Sequence, residues 1–404
     1  MIDRPNTWTT DNDGVATVDG SGKVTAVSPG VTTVTATSEG VSGHADITVI
    51  TLTFNSVTVG WGHACGLTTA GAGYCWGDNY SGQLGTGGSP ASSLFPTPIT
   101  GALTFTALSA GVAHTCGLTA SGAIYCWGYN DHGELGDATR TPRASPTLVV
   151  GGLTFAAVSA GRFHTCGLTT GGAAYCWGVG DHGQRGDNMG VVSDTPVAVL
   201  GGLTFTALSA GGAHTCGLTA SGEAYCWGDN LVGQLGDGTG TDAGSPVAVV
   251  GGLMFAALKS GETHTCGVTT TGALYCWGDN MAGQLGDGTT TNRPSPVVVL
   301  GGAGFATVSA GSSYSCGVTT AGAGYCWGAN NLGQLGDGTQ TFQESPVAVL
   351  GGLTFASVST GWQAATCGLS TGGVAYCWGD NQFGGLGNGT TTNSSVPVKV
   401  LGQP

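Results

Sequence analysis

The chain has 404 residues, of which 78 are glycine, and its 9 Lys and Arg against 23 Asp and Glu give a formal net charge of −14. Such a chain has no basic stripe to neutralise phosphates, so neither a nucleic acid nor an anionic membrane surface is expected as a partner. There is no run of about 18 apolar residues, so no segment is expected to insert into a membrane. A charged fraction of only 8%, with many Thr, Ser, Gly and Val residues, predicts an all-β protein.

Residues 1–50 form the first predicted domain. The stretch VATVDGSGKVTAVSPGVTTVTATSEGVSGHADITVI predicts four alternating strands with turns at DGSG and SPG. It resembles the second half of a group 2 bacterial Ig-like domain, a module of surface proteins and adhesins, without the opening strands. We therefore expect a partial Ig-like domain within a longer bacterial chain; a stand-alone cap on the next domain is the alternative. MIDRPNTWTT has no signal-peptide core, so export would use a signal not present in this chain.

Residues 51–404 form the second predicted domain, which consists of seven copies of a unit of about 50 residues. Each copy contains PVxVL, a GG turn, FTALSAG, HTCGLT and EAYCWG, followed by the longer loop DNLVGQLGDGT. Alternating apolar positions between glycine-rich turns indicate four short strands in each copy. Seven such units predict a seven-bladed β-propeller. Since the array starts at 54–60 and ends on a spare PVxVL segment at 397–401, these two strands are expected to pair and close the ring.

The recurring motif YCWGxNxxGQLGDGT, preceded by SAGxxHTCGL, resembles the RCC1 (regulator of chromosome condensation) repeat. The resemblance covers residues from about 53 to the C-terminus and implies a seven-bladed propeller. Members of the family include eukaryotic nucleotide-exchange factors, plant photoreceptors and a secreted bacterial β-lactamase inhibitor. The resemblance therefore specifies the fold far better than the function.

The fourteen cysteines recur as pairs ten positions apart, centred on the TASG-type turn. Residues equidistant from the middle of a hairpin turn face each other on its strands, within the range of a disulfide. Zinc and redox-active sites fit poorly, because both use CxxC-type spacing. We therefore predict seven disulfides and an extracellular or cell-surface protein. The cysteines are Cys65, Cys75, Cys116, Cys126, Cys166, Cys176, Cys216, Cys226, Cys266, Cys276, Cys316, Cys326, Cys367 and Cys377.

Other recurring residues favour packing roles over ligand roles. The histidine two residues before the first cysteine recurs in five copies, and a tryptophan recurs in every YCWG segment. Residues that repeat in each blade are typical of contacts between blades, so no metal is expected at the histidines and no ligand cage at the tryptophans. Asp and Asn in the DN and GDG loops would suit calcium, but they also suit turns, and no cofactor is expected. Arg185 stands where the other copies have leucine.

Positions that differ between copies identify a candidate binding surface. They fall between SAG and HTC, inside DNxxGQ and after GQLGDG, and strand parity places these loops on one face of the ring. The face is expected to expose aromatic side chains, several from the first and last copies, which adjoin in a closed ring. Plugging of the central tunnel, or contact with residues 1–50, is the alternative. The candidate residues are Trp61, Tyr80, Arg162, Phe163, Trp362, Gln382 and Phe383.

The sequence has no motif of a nucleophile elbow, a zinc protease or a phosphate-binding loop, so no catalytic residue is predicted. The expected function is recognition of a protein or a glycan by an extracellular bacterial module. Three alternatives stay open: a secreted inhibitor of an enzyme, a polysaccharide lyase or hydrolase, and a structural module of a surface filament. A loop face fitted to one target would favour the inhibitor, and turnover of a glycan would favour the enzyme.

Overall fold

A computed structural model describes residues 6–49, 51–88, 90–301 and 304–404. The described residues divide into two compact units, one within 1–52 and 402–404 and the other spanning 53–401. Among the described residues no helix has the length and apolar character needed to cross a membrane.

The N-terminal unit contains five strands. A three-stranded antiparallel sheet has the order β1–β4–β5, and β2 pairs with β3 in a short hairpin. The four strands predicted for this region are β2 to β5, with the hairpin turn at DGSG, and β1 precedes them. The strands are β1 (Thr7–Thr10), β2 (Ala16–Val18), β3 (Val24–Ala26), β4 (Gly30–Ser38) and β5 (Val41–Val49). The resemblance of this unit to an Ig-like domain stays a prediction.

Residues 53–401 form seven four-stranded antiparallel sheets, the blades of a propeller, each built from consecutive strands. The first strands, at which neighbouring blades approach each other, are β6 (Phe54–Val59), β10 (Ala107–Ala110), β14 (Phe155–Ala160), β18 (Ala207–Ala210), β22 (Phe255–Ser260), β26 (Phe305–Ala310) and β30 (Phe355–Thr360). The second strands, which carry the first cysteine of each pair, are β7 (His63–Thr68), β11 (His114–Leu118), β15 (His164–Thr169), β19 (His214–Leu218), β23 (His264–Thr269), β27 (Tyr314–Thr319) and β31 (Ala365–Ser370).

The third strand of each blade carries the YCWG segment, and the fourth carries the PVxVL segment. The third strands are β8 (Gly73–Asp78), β12 (Ile124–Gly128), β16 (Ala174–Gly178), β20 (Ala224–Gly228), β24 (Leu274–Gly278), β28 (Gly324–Gly328) and β32 (Ala375–Gly379). The fourth strands are β9 (Ser92–Pro98), β13 (Arg143–Leu148), β17 (Ser193–Ala198), β21 (Ala243–Ala248), β25 (Arg293–Val298), β29 (Gln343–Ala348) and β33 (Ser394–Lys399). The all-β, seven-bladed fold is therefore confirmed.

The predicted closure of the ring by strand exchange is wrong. Strand 54–60 pairs with β7 in blade 1, and the C-terminal strand, predicted at 397–401, pairs with β32 in blade 7. The PVxVL segment ends a blade instead of starting one, so the first and last copies are both complete. Blade 7 instead packs beside blade 1 through the tryptophan contact used at the other junctions: the Trp76 indole donates to the carbonyl of Gly385 at 2.9 Å.

Tryptophan and phenylalanine side chains hold neighbouring blades together. The tryptophan of each third strand is fully buried and donates its Nε1–H to a backbone carbonyl in the preceding blade, as Trp127 does to Gln83 at 2.9 Å. The ring of Phe105 lies 5.8 Å from that of Trp127. Because the same contact occurs at all seven junctions, the tryptophans are packing residues, as the repeat predicted. The seven are Trp76, Trp127, Trp177, Trp227, Trp277, Trp327 and Trp378.

The seven predicted disulfides are present. Cys216 and Cys226 lie opposite each other on β19 and β20, with Cα atoms 4.1 Å apart, and the other six pairs have the same register. All fourteen cysteines, which lie within the described residues, are bonded in this way. Each bond closes a loop of about ten residues and stabilises the fold by about 2–3 kcal/mol in the chain-entropy model. Disulfides across such hairpins are typical of proteins in oxidising compartments.

Candidate functional site

The histidines before the first cysteines are structural. His114 Nε2 lies 2.9 Å from the Thr165 hydroxyl of the next blade, and the corresponding Thr115 hydroxyl donates to the Gln83 carbonyl. Thr165 likewise donates its proton, to the carbonyl of Glu134, so His114 is the donor in its contact with Thr165. Burial lowers the pKa of His114 to about 4, and those of His63, His164, His214 and His264 to about 3. We call these five side chains the junction histidines.

The pattern changes where blade 7 meets blade 1, a junction that we call the seam. Here Ala365 stands at the histidine position, Ala64 at the threonine position and Gly385 at the glutamine position. Ala365 removes the histidine and Ala64 removes the threonine that would be its partner, so neither side chain is left buried without the other. Gly385 removes a glutamine side chain, but its backbone carbonyl still accepts from Trp76. The seam is therefore a coordinated departure from the repeat.

The loop that leads into the seam is also different. It is one residue longer than its counterparts, and the additional residue, Ala364, is buried with φ = 101°. A non-glycine residue in this region of φ is strained, and such strain persists only where the surroundings enforce it. The loop carries Trp362, whose backbone N–H donates to the carbonyl of Gly60 across the seam at 3.1 Å.

The loops between first and second strands, and those after third strands, enclose a cavity of about 560 Å³ that we call the mouth. Both sets of loops lie on the face that strand parity predicted. Six of the twelve lining residues are aromatic. The lining consists of Trp61, Asp78, Tyr80, Ser81, Val112, Ala113, Tyr129, Arg162, Phe163, Glu262, Trp362 and Phe383.

The structure brings six of the seven predicted residues together in the mouth. Trp61 and Phe383 have ring centroids 5.7 Å apart across the seam. The Trp61 side chain is 38% exposed and that of Tyr80 is 83% exposed. Gln382 is exposed and is not part of the lining. Whether the mouth binds a ligand stays a prediction.

Gly62 provides the space in which two parts of the mouth meet. A Cβ atom at this position would lie 3.2 Å from Cδ2 of Phe383 and 3.3 Å from Cβ of Asp78. Distances this short would force the ring or the carboxylate to move. The absence of a side chain at Gly62 therefore leaves room beside it for Phe383 of blade 7 and for Asp78 of blade 1.

On the other side of the mouth, the protein's own Arg162 lies between an aromatic ring and a carboxylate. The guanidinium carbon of Arg162 lies 5.2 Å from the centroid of Phe163, and its Nη1 lies 2.7 Å from Oε1 of Glu262. Tyr129 extends this side, with its ring 6.3 Å from that of Phe163. Desolvation and the charge of Asp131 raise the pKa of Tyr129 to about 12, so its hydroxyl is neutral at physiological pH.

The carboxylates of the DN loops serve mainly as turn acceptors. Asp78 accepts from the Tyr80 N–H at 3.1 Å and from Nε2 of Gln83 at 2.8 Å, and burial raises its pKa. Glu134, at the glutamine position of blade 2, accepts from the N–H of His132 at 3.0 Å, and burial raises its pKa as well. These hydrogen bonds explain the repeated acidic residues without a bound ion.

One cluster could hold a metal ion by its composition. Candidate ligand atoms of His182, Asp229 and Asp242 all lie within 4.8 Å of one another, on loops of blades 3 and 4. The cluster already has internal partners: Asp242 lies 3.3 Å from His182 Nδ1 and accepts from the N–H of Asn230 at 2.9 Å. Asp229 accepts from Gln234 at 2.7 Å. We assign no role to this cluster.

Six of the twelve lining residues were not among the predicted ones. They are Asp78, Ser81, Val112, Ala113, Tyr129 and Glu262. Asp78 and Tyr129 occupy the first position of the DN pair, which the repeat made look purely structural. A comparison of the copies would have identified Tyr129, because its counterparts are Asp, Val or Ala. Glu262 lies at a variable position, but its pairing with Arg162 of a different blade has no signal in the sequence.

The family profile described as the RCC1-like domain matches residues 20–367, and that of the Regulator of chromosome condensation (RCC1) repeat matches residues 372–404. The first match begins within the N-terminal unit.

Similar curated proteins share only short segments with this chain. A human protein, Probable E3 ubiquitin-protein ligase HERC4, is 40% identical over 82 residues, which is 20% of this chain and 8% of that protein. The Ultraviolet-B receptor UVR8 of Arabidopsis thaliana is 35% identical over 89 residues, 22% of this chain and 20% of that protein. The chain thus covers a small part of these relatives.

Solved structures with the same fold extend over most of the chain. Human WBSCR16 has a TM-score of 0.73 at 20% identity, covering 81% of this chain and 93% of that one. Yeast RCC1 (Prp20), in its structure with Kap60, has a TM-score of 0.72 at 20% identity, covering 86% and 85%. At this identity the likeness concerns the fold alone. Because a single family profile spans most of the sequence, the chain belongs to the RCC1-like domain family.

Proposed function

We propose that this propeller is a non-catalytic recognition module that binds a protein partner through the mouth. The observation that carries the proposal is the aromatic lining of a cavity of about 560 Å³ at which loops of five blades meet. Aromatic side chains in a concave surface contribute much of the binding energy of protein interfaces. Proteins of this fold with known partners, such as yeast RCC1 bound to Kap60, make a protein ligand a reasonable first choice.

A glycan is the second candidate. The 83% exposed ring of Tyr80 and the adjacent Trp61 and Phe383 rings offer flat apolar faces on which a sugar ring could stack. If this protein is a secreted inhibitor, the protein partner is the enzyme that it inhibits. A catalytic role has less support, because the mouth carboxylates of Asp78 and Glu262 are already engaged, by Gln83 and Arg162 respectively.

We further propose that the protein acts outside the cytosol, as part of a bacterial surface or secreted protein. Seven buried disulfides support an oxidising compartment. The bacterial surface context rests on the resemblance of residues 1–50 to an Ig-like domain. Mass spectrometry of the protein from its native source, without reductant, should give a mass 14 hydrogens below that of the reduced chain. Fourteen free thiols would contradict this part of the proposal.

The binding proposal is tested with a pull-down from secreted proteins and a glycan array. The wild type is compared with W61A/W362A, which removes two rings of the mouth, and with F95A/F342A, which removes two exposed rings outside its lining. We expect the mouth variant to bind its ligand at least tenfold more weakly than the wild type, and the control variant to bind it with unchanged affinity. Equal binding by all three proteins would contradict a role of the mouth. Capture on the glycan array alone would favour the second candidate, and turnover of an arrayed glycan would favour an enzyme.

A further inference from the structure

Each side of the mouth has aromatic rings and a carboxylate, but in the described part of the chain only one side also holds a cationic side chain. On the side of blades 3 and 5, an aromatic ring and a carboxylate, Phe163 and Glu262, enclose the guanidinium of Arg162. On the side of blades 1 and 7, the rings of Trp61 and Phe383 pack on each other, and Asp78 belongs to the same lining. Among the described residues, Arg162 is the one cationic side chain in the lining.

The charges of the mouth favour a cation at the second side. Arg162 and Glu262 neutralise each other at 2.7 Å, whereas the partners of Asp78 are an amide and a backbone N–H, which carry no charge. The faces of aromatic rings are negative and attract ammonium and guanidinium groups. The whole chain carries a net charge of −14, which attracts a basic partner at long range.

We propose that the side of the mouth formed by blades 1 and 7 takes a cationic side chain, lysine or arginine, from a protein partner. The ring faces of Trp61 and Phe383 contact the charged group, and Asp78 is its counter-ion. The protein thereby repeats, with an external group, the contact that Arg162 makes inside the same cavity. This inference rests on the proposed recognition function and specifies the chemistry of the ligand.

The test uses a peptide array screened with the full oxidised chain. Peptides that bind the wild type, but bind W61A/W362A at least tenfold more weakly, are taken as ligands of the mouth. Each lysine or arginine in them is then replaced by norleucine, which keeps the aliphatic stem and removes the charge. We expect one such replacement to weaken binding about tenfold, the scale of a desolvated cation–π contact with a counter-ion.

Matched variants identify the counter-ion. In D78N the residue in the mouth loses its charge; D279N makes the same change in blade 5, where Asp279 accepts from Gln284 at 2.8 Å but lies outside the lining. We expect D78N to weaken the lysine peptide about tenfold and the norleucine peptide hardly at all, and D279N to change neither. Circular dichroism and a thermal melt of each variant verify the fold. If D78N does not fold, binding of the lysine and norleucine peptides to the wild type at rising salt replaces it, and only the lysine peptide should weaken.

The outcomes separate this inference from the proposed function. Mouth-dependent peptides that bind equally well with norleucine would overturn the cation inference and leave the recognition function in place. Peptides enriched in Asp and Glu would also overturn it, since they would point to Arg162 as the contact. If no peptide or captured protein distinguishes W61A/W362A from the wild type, the recognition function itself fails.

Discussion

Arg185 and Gly180 depart from the repeat together, which makes a double-mutant prediction possible. Other blades have an asparagine and a leucine at these positions: in blade 4, Asn230 accepts from the Leu235 N–H at 3.0 Å and donates to Asp237 at 3.0 Å. In blade 3, Gly180 stands at the asparagine position, and the Arg185 side chain occupies the space of the missing asparagine side chain. A Cβ atom on Gly180 would lie 2.8 Å from Nε of Arg185.

Each single change should therefore destabilise the fold. R185L removes a fully buried guanidinium that lies 2.8 Å from Asp187 and 3.0 Å from the Met189 carbonyl. The carbonyl then loses this donor, and Asp187 keeps the Met189 N–H but loses its counter-ion. Breaking a buried ion pair in this way costs about 3 kcal/mol. G180N forces a side chain against Arg185, and overpacking of this kind costs about 1–3 kcal/mol.

The double variant G180N/R185L restores the combination found in blade 4, and the new asparagine can donate to Asp187. We expect its free energy of unfolding to lie within about 1 kcal/mol of the wild type, which gives a coupling energy of at least about 3 kcal/mol. Urea unfolding of the oxidised chain, followed by circular dichroism, measures all four proteins. Additive effects would refute the idea that Arg185 replaces the missing asparagine.

Three further predictions concern the junctions, the disulfides and the mouth. Burial lowers the pKa of the junction histidines from 6.5 to about 3–4, so below pH 6.5 the unfolded chain binds protons that the folded chain does not. The contribution of these histidines to stability is therefore complete above pH 6.5 and falls towards pH 3, by about 2 kcal/mol per histidine at pH 5. Urea midpoints should fall from pH 7.5 to 5, less steeply in H164Q, and a flat profile would contradict the assignment. Replacing Cys216 and Cys226 together by alanine should lower the free energy of unfolding by about 2–3 kcal/mol, and an unchanged urea midpoint would show that this bond contributes nothing. G62A should weaken ligands of the mouth by crowding its ring and carboxylate, whereas G190A, where a Cβ would meet no atom within 4 Å, should not; equal affinities would exclude the seam from binding.

The sequence predicted the repeat but not where a blade begins. Periodicity gives the number of units and the strands in each, and the hairpin geometry of Cys216 and Cys226 gives the register of two of them. A periodic sequence has no natural origin, however, so the PVxVL strand can be assigned to either of two neighbouring copies. The assignment depends on which strand the YCWG segment pairs with across the long loop, and this contact is not local in the sequence. The error in ring closure follows directly from that ambiguity.

The candidate site was predictable to the extent that it follows from strand parity. Parity places the variable loops on one face, and the structure has Trp61, Phe163 and Trp362 together there. It does not say which loops meet across the ring, so the pairing of Arg162 with Glu262 was out of reach. Strand parity also does not show that a residue inside a repeated turn, such as Tyr129, lines the cavity instead of forming the turn contacts of its counterparts.

The departures from the repeat fall into two classes that the structure separates. Some are compensated by a second departure in contact with them: Gly180 by Arg185, and the alanine at 365 by that at 64. Tyr314, in place of a junction histidine, donates to the Ala365 carbonyl at 2.7 Å, so it belongs to the same class. Trp61 and Tyr80 instead remain partly or largely exposed. Because packing within the blades accounts for the first class and not for the exposure of these rings, we propose that the variation at the mouth serves a ligand.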